Sequence, residues 1–367
     1  MNFLDKLDSL YPALVRDVQR FSSQATSVRN AEPIRILICR PNHRLGNLLL
    51  LTPIIQELSD TFPGCKIDLF VKGKLGRILF QNRPNIDRII QLPKRPLQHF
   101  FEYFYGWLQI RRRRYDIAIN VDQSSSSGRL SVQFANAREK IEGRVIENLS
   151  LMYPDYEHHA KFPVYNFRKH LETVGLYPNL RSVPSLDLKL IPSEVAEGKV
   201  VLRNLVGNDN PTVCLYTFAT GKKCYSTQWW AFFYERLKEL VPQFNFIEIL
   251  PLHKTAGLPQ LTSFYSTDVR QIGSVIANSA LFIGADSGIM HLASSVQTPT
   301  VGLFSVTDQK RYAPYHNGSL SLNTNNVDIE GCLMAISSIL DRRSAPKKNH
   351  HGARADDLEF LDSSILA

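Results

Sequence analysis

The sequence is poor in cysteine and contains no CxxC pair. Its five cysteines are an odd, scattered set that runs from Cys39 to Cys332. This argues against a disulfide framework and a structural zinc site, and it fits a reducing compartment. The N-terminus has no basic stretch followed by a continuous apolar core, so we expect no signal peptide. The apolar run Leu48–Leu51 is far too short to span a bilayer. We therefore expect a cytoplasmic protein, with or without peripheral contact at the inner face of a membrane.

Nucleic-acid-binding modules are also missing from the sequence. It contains no RNP motif, no Cys/His finger and no basic zipper. Lys and Arg nevertheless number 43 against 34 Asp and Glu, which gives a net charge of +9. Such an excess favours anionic partners, among them nucleotide-sugars, phosphorylated glycolipids and an acidic membrane face. We expect a partner of this kind and not nucleic acid.

Strand and helix patterns alternate along most of the chain. With 367 residues, 44% of them hydrophobic and 21% charged, the chain has the size of two globular domains. The alternation predicts an α/β fold with two Rossmann-like, doubly wound parallel sheets. Strands are predicted at 34–39, 67–71, 88–92 and 116–121 in the first half, and at 212–217, 244–250, 280–284 and 299–304 in the second.

A stretch rich in proline and turn-forming residues, from about 175 to 192, separates the two halves. We therefore predict a first domain at 31–178 and a second at 179–343, facing each other across a cleft. Residues 1–30 place apolar side chains at three- and four-residue spacing, which predicts an amphipathic helical extension. The polar, charged tail at 344–367 is predicted to be disordered.

The segment 281–304 carries the clearest functional pattern. An apolar strand is followed by Asp286, Ser287 and Gly288, where a helix begins, and His291 lies about one turn inside that helix. Open α/β sheets bind ligands at the carboxyl ends of their strands, and a helix N-terminus there suits a phosphate group. The alternative explanation, taken residue by residue, is that Asp286 is a helix N-cap and His291 a buried structural histidine. We interpret the whole cluster as a ligand site.

Three blocks of the sequence are similar to one protein family. The blocks are ICRPNHRLGNLLLLTPIIQEL at 38–58, YTFATGKKCYSTQWWAFFYERL at 216–237 and ADSGIMHLASSVQTPTVGLFSVTD at 285–308. They resemble the bacterial glycosyltransferases of the heptosyltransferase type, family 9, over roughly residues 34 to 310. The resemblance implies the glycosyltransferase-B fold, with the acceptor bound by the first domain and the donor by the second.

The resemblance also implies roles for individual residues. Asp286 would bind the sugar of the donor, and the backbone N–H groups of Ser287 and Gly288 its diphosphate. Lys223 would contact phosphate from the opposite loop and take part in catalysis. The implied donor set is Thr220, Gly221, Asp286, Ser287, Gly288, His291, Thr307 and Asp308, and the acceptor candidates are Arg40, Arg44 and Asp122.

The implied reaction is an inverting transfer of heptose or a related sugar to a lipopolysaccharide-type or other surface-glycan acceptor. ADP is the implied nucleotide, while GDP and UDP stay open. A Lys ammonium and a helix N-terminus stabilise the charge that develops on the departing diphosphate without a metal. The sequence contains no Asp-x-Asp pair of the kind that holds Mn²⁺ or Mg²⁺. We expect no metal and no cofactor other than the donor substrate.

The sequence departs from the family pattern at Asn47, where relatives place the Asp that acts as general base. An amide oxygen is far too weakly basic for that role. Either Asn47 only orients the acceptor while another catalytic residue, such as His43 or Asp122, serves as base, or solvent takes the proton late, or the protein has lost catalysis and is a nucleotide- or glycan-binding module. A nicotinamide- or flavin-dependent enzyme is disfavoured, because the loop 40–47 has one glycine where a dinucleotide fingerprint has three.

Two further segments have open interpretations. The loop after the predicted strand 244–250 carries His253 and Lys254, but not the Glu that relatives often use to bind the ribose. The basic run Arg111–Arg114 follows an aromatic-rich helix. It either meets an anionic acceptor or acidic lipid, or is a solvated helix end whose cations complement the helix dipole.

Overall fold

The computed structural model describes residues 32–251 and 257–344. The predicted N-terminal helix within 1–30, the loop residues His253 and Lys254 and the tail residues 345–367 lie outside these ranges. Within them no helix is long and apolar enough to cross a bilayer.

The first domain is built on a sheet of five parallel strands in the order β3-β2-β1-β4-β5. Central strand β1 is buried along almost its whole length, as expected for a parallel strand covered on both faces. The strands are β1 (Arg35–Arg40), β2 (Lys66–Lys72), β3 (Ile86–Leu92), β4 (Tyr115–Asn120) and β5 (Ala137–Ile141). The helices are α1 (Leu45–Leu49), α2 (Thr52–Thr61), α3 (Leu75–Leu79), α4 (Phe100–Arg112), α5 (Ser126–Phe134), α6 (Glu147–Met152) and α7 (Phe162–Thr173).

The second domain has six parallel strands in the order β11-β10-β9-β6-β7-β8. The strands are β6 (Thr212–Tyr216), β7 (Asn245–Ile249), β8 (Thr262–Phe264), β9 (Leu281–Ala285), β10 (Thr300–Phe304) and β11 (Leu320–Asn323). The helices are α8 (Pro192–Val206), α9 (Thr227–Leu240), α10 (Val269–Ala277), α11 (Gly288–Ser295), α12 (Gln309–Tyr312) and α13 (Ile329–Ser344), with a 3₁₀ turn at Gly221–Lys223. The predicted α/β class with two parallel-sheet domains is confirmed.

One predicted helix is broken in two. The apolar pattern predicts a continuous helix from 46 to 61, but α1 ends at Leu49 and α2 starts at Thr52. Pro53 lies in the first turn of α2, where its missing N–H is tolerated, and it would interrupt a helix running through it. The Thr52 hydroxyl donates to the carbonyl of Leu49 and closes the junction at 2.8 Å. The break ends α1 after five residues.

The carboxyl edges of the two sheets meet where α1 packs on α11. A Cβ built on Gly46 would lie 2.6 Å from Cδ2 of His291, and one built on Gly288 would lie 3.2 Å from the backbone nitrogen of Gly46. One hydrophobic cluster runs through this contact and joins Ile36 of β1 to Met290 of α11. The loops that follow β1 and β9 are therefore held against each other.

A second contact between the domains joins the loop before α7 to the end of α12. The backbone N–H of His159 donates to the carbonyl of Arg311 at 3.1 Å. The His158 side chain meets the carbonyl of Ala313 at 2.9 Å through Nε2, and its Nδ1 accepts the N–H of Ala160. Burial is the main reason that the pKa of His158 falls to about 3. The ring is therefore neutral, with its proton on Nε2.

The segment that connects the domains is fixed by hydrogen bonds to both of them. The guanidinium of Arg83 donates to the carbonyl of Asp187 at 2.6 Å, and Asn82 donates to the carbonyl of Lys189 at 2.9 Å. On the second domain, the buried Arg270 donates to the carbonyls of Leu188 at 3.3 Å and Lys189 at 2.9 Å. These contacts limit the relative motion of the domains near the linker.

Candidate active site

The N-terminus of α11 lies directly after β9, at the carboxyl edge of the second sheet. Ser287 is the N-cap, and its hydroxyl accepts the N–H of Met290 at 3.3 Å. The N–H groups of Gly288 and Ile289 have no partner within the helix. They point out of the helix end together with the positive end of its dipole, as an anion site requires.

Lys223 and Asp286 form an ion pair at this helix end, with 2.5 Å between Nζ and Oδ2. The sequence suggested separate roles for them, and the fold brings them together because β6 and β9 are neighbours and their carboxyl ends adjoin. Gly221 opens the turn after β6 in the left-handed region, with φ +64°, which suits a residue without Cβ. Asp286 is buried, while the Lys223 side chain is one-third exposed.

His291 is buried in the fourth position of α11, against Gly46. Its pKa falls to about 4, mainly because of burial; the charge of Asp286 opposes this fall, while Lys223 and His159 add to it. The imidazole is therefore neutral at physiological pH. Its position favours the structural explanation, in which the ring seals the contact between the two domains.

The first domain contributes a second buried ion pair, between Arg40 at the end of β1 and Asp122 just after β4. Asp122 also accepts the backbone N–H of Ser124 at 3.0 Å and its hydroxyl at 2.8 Å. Burial alone would raise the pKa of Asp122, but Arg40 and Ser124 outweigh that effect and hold the pKa below its usual value. The carboxylate is ionised and well stabilised, which makes it a weak base.

The remaining acceptor-side candidates surround α1. His43 and Arg44 are exposed, and Asn47 is partly exposed on α1 without a hydrogen bond to any described residue. Partial burial and the neighbouring cations Lys94, Lys72 and Arg44 lower the pKa of His43. His43 thus belongs to a positively charged cluster, apart from the two ion pairs.

Two residues that the sequence did not single out lie between the ion pairs. The ring of Tyr312 is 4.7 Å from that of His159 and 6.2 Å from that of His291, with the Lys223 ammonium 5.9 Å from its centre. Burial and the charge of Arg40 lower the pKa of His159 to about 4, although Asp122 opposes this. His159 lies in a turn and Tyr312 at the end of the short helix α12. The sequence gives a hint only for Tyr312, because it follows shortly after the third block.

The other predicted donor residues lie at the margins of the site. Thr220 and Gly221 are exposed in the turn after β6. Thr307 is partly exposed after β10, and the Asp308 carboxylate caps α12 by accepting the N–H of Lys310 at 3.0 Å. Asp308 therefore fixes the short helix that presents Tyr312.

Two residues of the basic run Arg111–Arg114 make contacts within the first domain, and Arg112 and Arg114 are exposed. Helix α4 starts at the carboxyl edge of the first sheet and runs back, so this run lies at the opposite edge from the ion pairs. Arg113 pairs with Asp68 at 3.3 Å and with Asp87. Arg111 lies over the ring of Phe134 at 5.9 Å.

Comparisons with known proteins agree with this architecture. The model of glycosyltransferase family 9 (heptosyltransferase) matches residues 265–330, which include α11 and the segment through β11. Lipopolysaccharide heptosyltransferase 3 of Escherichia coli is 24% identical over 302 residues, covering 75% of this chain and 85% of that protein.

Solved structures show the same fold at low sequence identity. A glycosyl transferase of family 9 from Veillonella parvula is 16% identical with a TM-score of 0.63, covering 84% of this chain and 97% of its own. E. coli heptosyltransferase WaaC, solved with ADP, is 15% identical with a TM-score of 0.60, covering 84% and 99%. E. coli ADP-heptose lps heptosyltransferase II is 14% identical with a TM-score of 0.60, covering 85% and 100%.

The two facing parallel-sheet domains, with paired charges where their carboxyl edges meet, have the glycosyltransferase-B fold. The chain carries the signature of glycosyltransferase family 9 in its second domain, and the family resemblance stated from the sequence is confirmed.

Proposed function

We propose that this protein transfers a sugar, with inversion and without a metal ion, from a nucleotide-sugar held at α11 to an acceptor held by the first domain. The observation that carries the proposal is the Lys223–Asp286 ion pair at the N-terminus of α11. It lies across the domain contact from the Arg40–Asp122 pair. Two opposed polar sites at one domain boundary are what a reaction between two substrates requires.

The donor half of the site suits a departing diphosphate. Negative charge builds on that group as the glycosidic bond breaks, and the Lys223 ammonium and the start of α11 place positive charge at the same helix end. Asp286 holds Lys223 in place before the donor arrives. On binding, the sugar hydroxyls donate hydrogen bonds to the Asp286 carboxylate while Lys223 turns toward phosphate.

The identity of the substrates is proposed from the relatives. WaaC of E. coli has been solved with ADP and with ADP-2-deoxy-2-fluoro heptose, and the curated relative is a lipopolysaccharide heptosyltransferase. We therefore assign ADP-heptose or a related ADP-linked sugar as donor. The acceptor is a lipopolysaccharide-type or other anionic surface glycan, since Lys72, Lys94 and Arg44 surround His43 beside α1. The reaction takes place in the cytoplasm, at the inner face of the membrane.

The proton of the acceptor hydroxyl needs a destination other than Asn47. Asp122 is already engaged by Arg40 and Ser124. His43 is neutral at physiological pH but lies among cations. His159 is also neutral, and it lies beside Tyr312 between the two halves of the site. Of the three, His159 has the position that a base needs, but a pKa lowered to about 4 makes it a weak one; the exposed His43 is the alternative.

A nucleotide- or glycan-binding module without catalysis is the second candidate function, and Asn47 is the observation that favours it. We take this module to keep the donor site, so that it differs from the first candidate only in turnover. Binding assays test the site that the two share, and product formation separates them.

Two measurements test the proposal. Thermal shift and calorimetry with ADP-heptose, ADP, GDP and UDP should show stabilisation by the ADP compounds, unchanged by EDTA. With an acceptor glycan, ADP release should accompany a product whose anomeric configuration, read by NMR, is opposite to that of the donor. Absence of any nucleotide-dependent shift would reject both candidate functions, and binding without ADP release would favour the binding module.

A further inference from the structure

Exposed apolar side chains cover the start of α4 and the loop before it. We call this surface the α4 patch, and it consists of Leu97, Phe100, Phe101, Phe104 and Tyr105. Leu97 is 96% exposed and Phe101 84%. The ring of Phe100 contacts that of Phe101 at 5.9 Å and stacks on that of Phe104 at 6.3 Å. A contiguous apolar patch, unlike scattered single residues, indicates an interaction site.

The patch is not left over from packing of the domain core. With ~100° between successive helical residues, Trp107 and Ile110 fall on the inner face of α4, and Phe101 and Tyr105 on the opposite face. Ile110 is fully buried, and Trp107 packs edge-on against Phe70 at 5.5 Å. Helix α4 thus has a complete inner face, and the aromatic outer face has no partner within the described part of the first domain.

Positive charge borders the patch on the side of the active site. Lys94 and Arg95 precede it and are exposed. A Cβ built on Gly73 would lie 3.1 Å from the Lys94 side chain and 3.6 Å from that of His43, so this cluster extends to the loop before α1. Glu102 is the acidic side chain of α4; it lies to the side of the outer face and pairs with His99 at 3.3 Å.

The orientation of α4 places the patch beside the acceptor half of the active site. Strand β3 ends at Leu92, and α4 begins eight residues later, at Phe100, before running back along the sheet. Its first turns are therefore at the carboxyl edge, where Arg40 and Asp122 lie. A surface that binds the α4 patch also faces the acceptor loops.

We propose that the α4 patch docks this protein on an anionic phospholipid bilayer. Its rings enter the interface between headgroups and acyl chains, and Lys94 and Arg95 contact headgroup phosphates. The acceptor edge then faces the membrane. This orientation rests on the proposed function, in which the acceptor is anchored in the membrane. The charges favour a bilayer over a second copy of the chain, because a symmetric contact would bring the same cations together. They also favour it over residues 1–30, whose charges are nearly balanced.

Flotation of the full-length protein with vesicles tests the proposal without any substrate. The protein should bind vesicles of phosphatidylcholine mixed with phosphatidylglycerol at least about tenfold more tightly than phosphatidylcholine alone, and less tightly as salt rises. The double variant Phe101→Ser, Tyr105→Ser should lose about tenfold or more of this affinity. Phe232→Ser is the matched control, since Phe232 is 54% exposed on α9 of the second domain and should leave binding unchanged.

Two additional variants make the test specific. Lys94→Gln combined with Arg95→Gln should weaken binding to the mixed vesicles and flatten its salt dependence. The fluorescence emission of Phe101→Trp should shift to the blue with the mixed vesicles and not with phosphatidylcholine alone. This variant keeps an aromatic side chain in the α4 patch, so the shift reports its insertion into the bilayer. Unchanged emission would overturn the proposal.

Other outcomes would also overturn it. If the wild type and the Phe101→Ser, Tyr105→Ser variant float equally well, the α4 patch does not contribute to membrane binding. Self-association of the wild type without vesicles, abolished by the same variant, would assign the patch to a second copy. The thermal shift with ADP-heptose should be the same in wild type and variants, so failure of the donor site and failure of the docking surface give different results.

Discussion

Gly46 of α1 lies so close to the imidazole of His291 in α11 that a Cβ built on the glycine would be 2.6 Å from the ring. The contact joins the loop that leads into the acceptor half of the site to the helix that forms the donor half. A single hydrogen atom in place of a side chain therefore sets the distance between the domains at the active site.

Gly46→Ala should force the two helices apart. Because the new methyl meets the ring of a fully packed residue, we expect a loss of about 1–3 kcal/mol in the free energy of unfolding and weaker donor binding. Urea denaturation and the thermal shift with ADP-heptose measure the two effects. Asn47→Ala, one residue further along α1, is the control and should change stability by less than about 0.5 kcal/mol. An unchanged midpoint for Gly46→Ala would show that the contact yields easily.

Lys223→Gln should weaken transfer much more than it weakens folding. The ammonium is one-third exposed, and its partner Asp286 is buried, so removing the cation leaves the carboxylate uncompensated and the diphosphate without its main counter-charge. We expect a fall in kcat of roughly 10²–10³, by analogy with loss of one stabilising donor at a developing anion. ADP release kinetics measure it. Lys222→Gln, at the exposed neighbouring position, should stay near wild type; equal effects at both positions would point to general loss of positive charge.

Asn47→Asp separates the two candidate functions. In an enzyme whose proton leaves through another group, a new carboxylate on α1 should change the transfer rate by less than about tenfold. In a protein that has lost its base, the same change should create measurable ADP release from none. His159→Gln and His43→Gln provide the companion measurements: the variant that removes the base should lose the acidic limb of the pH–rate profile, and the other should keep it.

The sequence was most informative where strands are buried on both faces. Continuous apolar runs predicted β1, β6, β9 and β10, because a parallel strand covered by helices needs no polar alternation. The sequence did not predict strand β5, because most side chains of Ala137–Ile141 are only half-buried. It also did not predict strand β8, which has three residues. Such edge strands form because they pair with a neighbouring strand, and this pairing cannot be predicted from the local amino-acid composition.

The site was predictable only in part, for a related reason. Asp286, Ser287 and Gly288 are consecutive, so their position at a helix start can be read from a short window. The pairing of Lys223 with Asp286 spans 63 residues and depends on β6 and β9 being neighbours. His159 and Tyr312 meet only because the two domains touch, and no pattern within either segment predicts that contact.

Acid should destabilise the protein through the histidines at the domain contact. The pKa values of His158, His159 and His291 are lowered to about 3, 4 and 4, mainly by burial. Unfolded histidines have a pKa of about 6.5, so between about pH 6.5 and 4 the unfolded chain binds more protons than the folded one. Stability is therefore full above about pH 6.5 and falls as the pH decreases, by at most about 1.4 kcal/mol per pH unit for each histidine.

Urea midpoints from pH 7.5 to 4.5 test this dependence, and His291→Asn isolates one contribution. The variant lacks a group that titrates in this range, so its midpoint should fall less steeply below pH 6.5 than that of the wild type, even though the lost packing against Gly46 makes it less stable at pH 7.5. Asn47→Ala is the control, because it removes no titrating group and should leave the slope as it is. Parallel curves for wild type and His291→Asn would mean that the imidazole is already solvated in the folded protein, and that the two domains separate at α1 and α11 more readily than their packing implies.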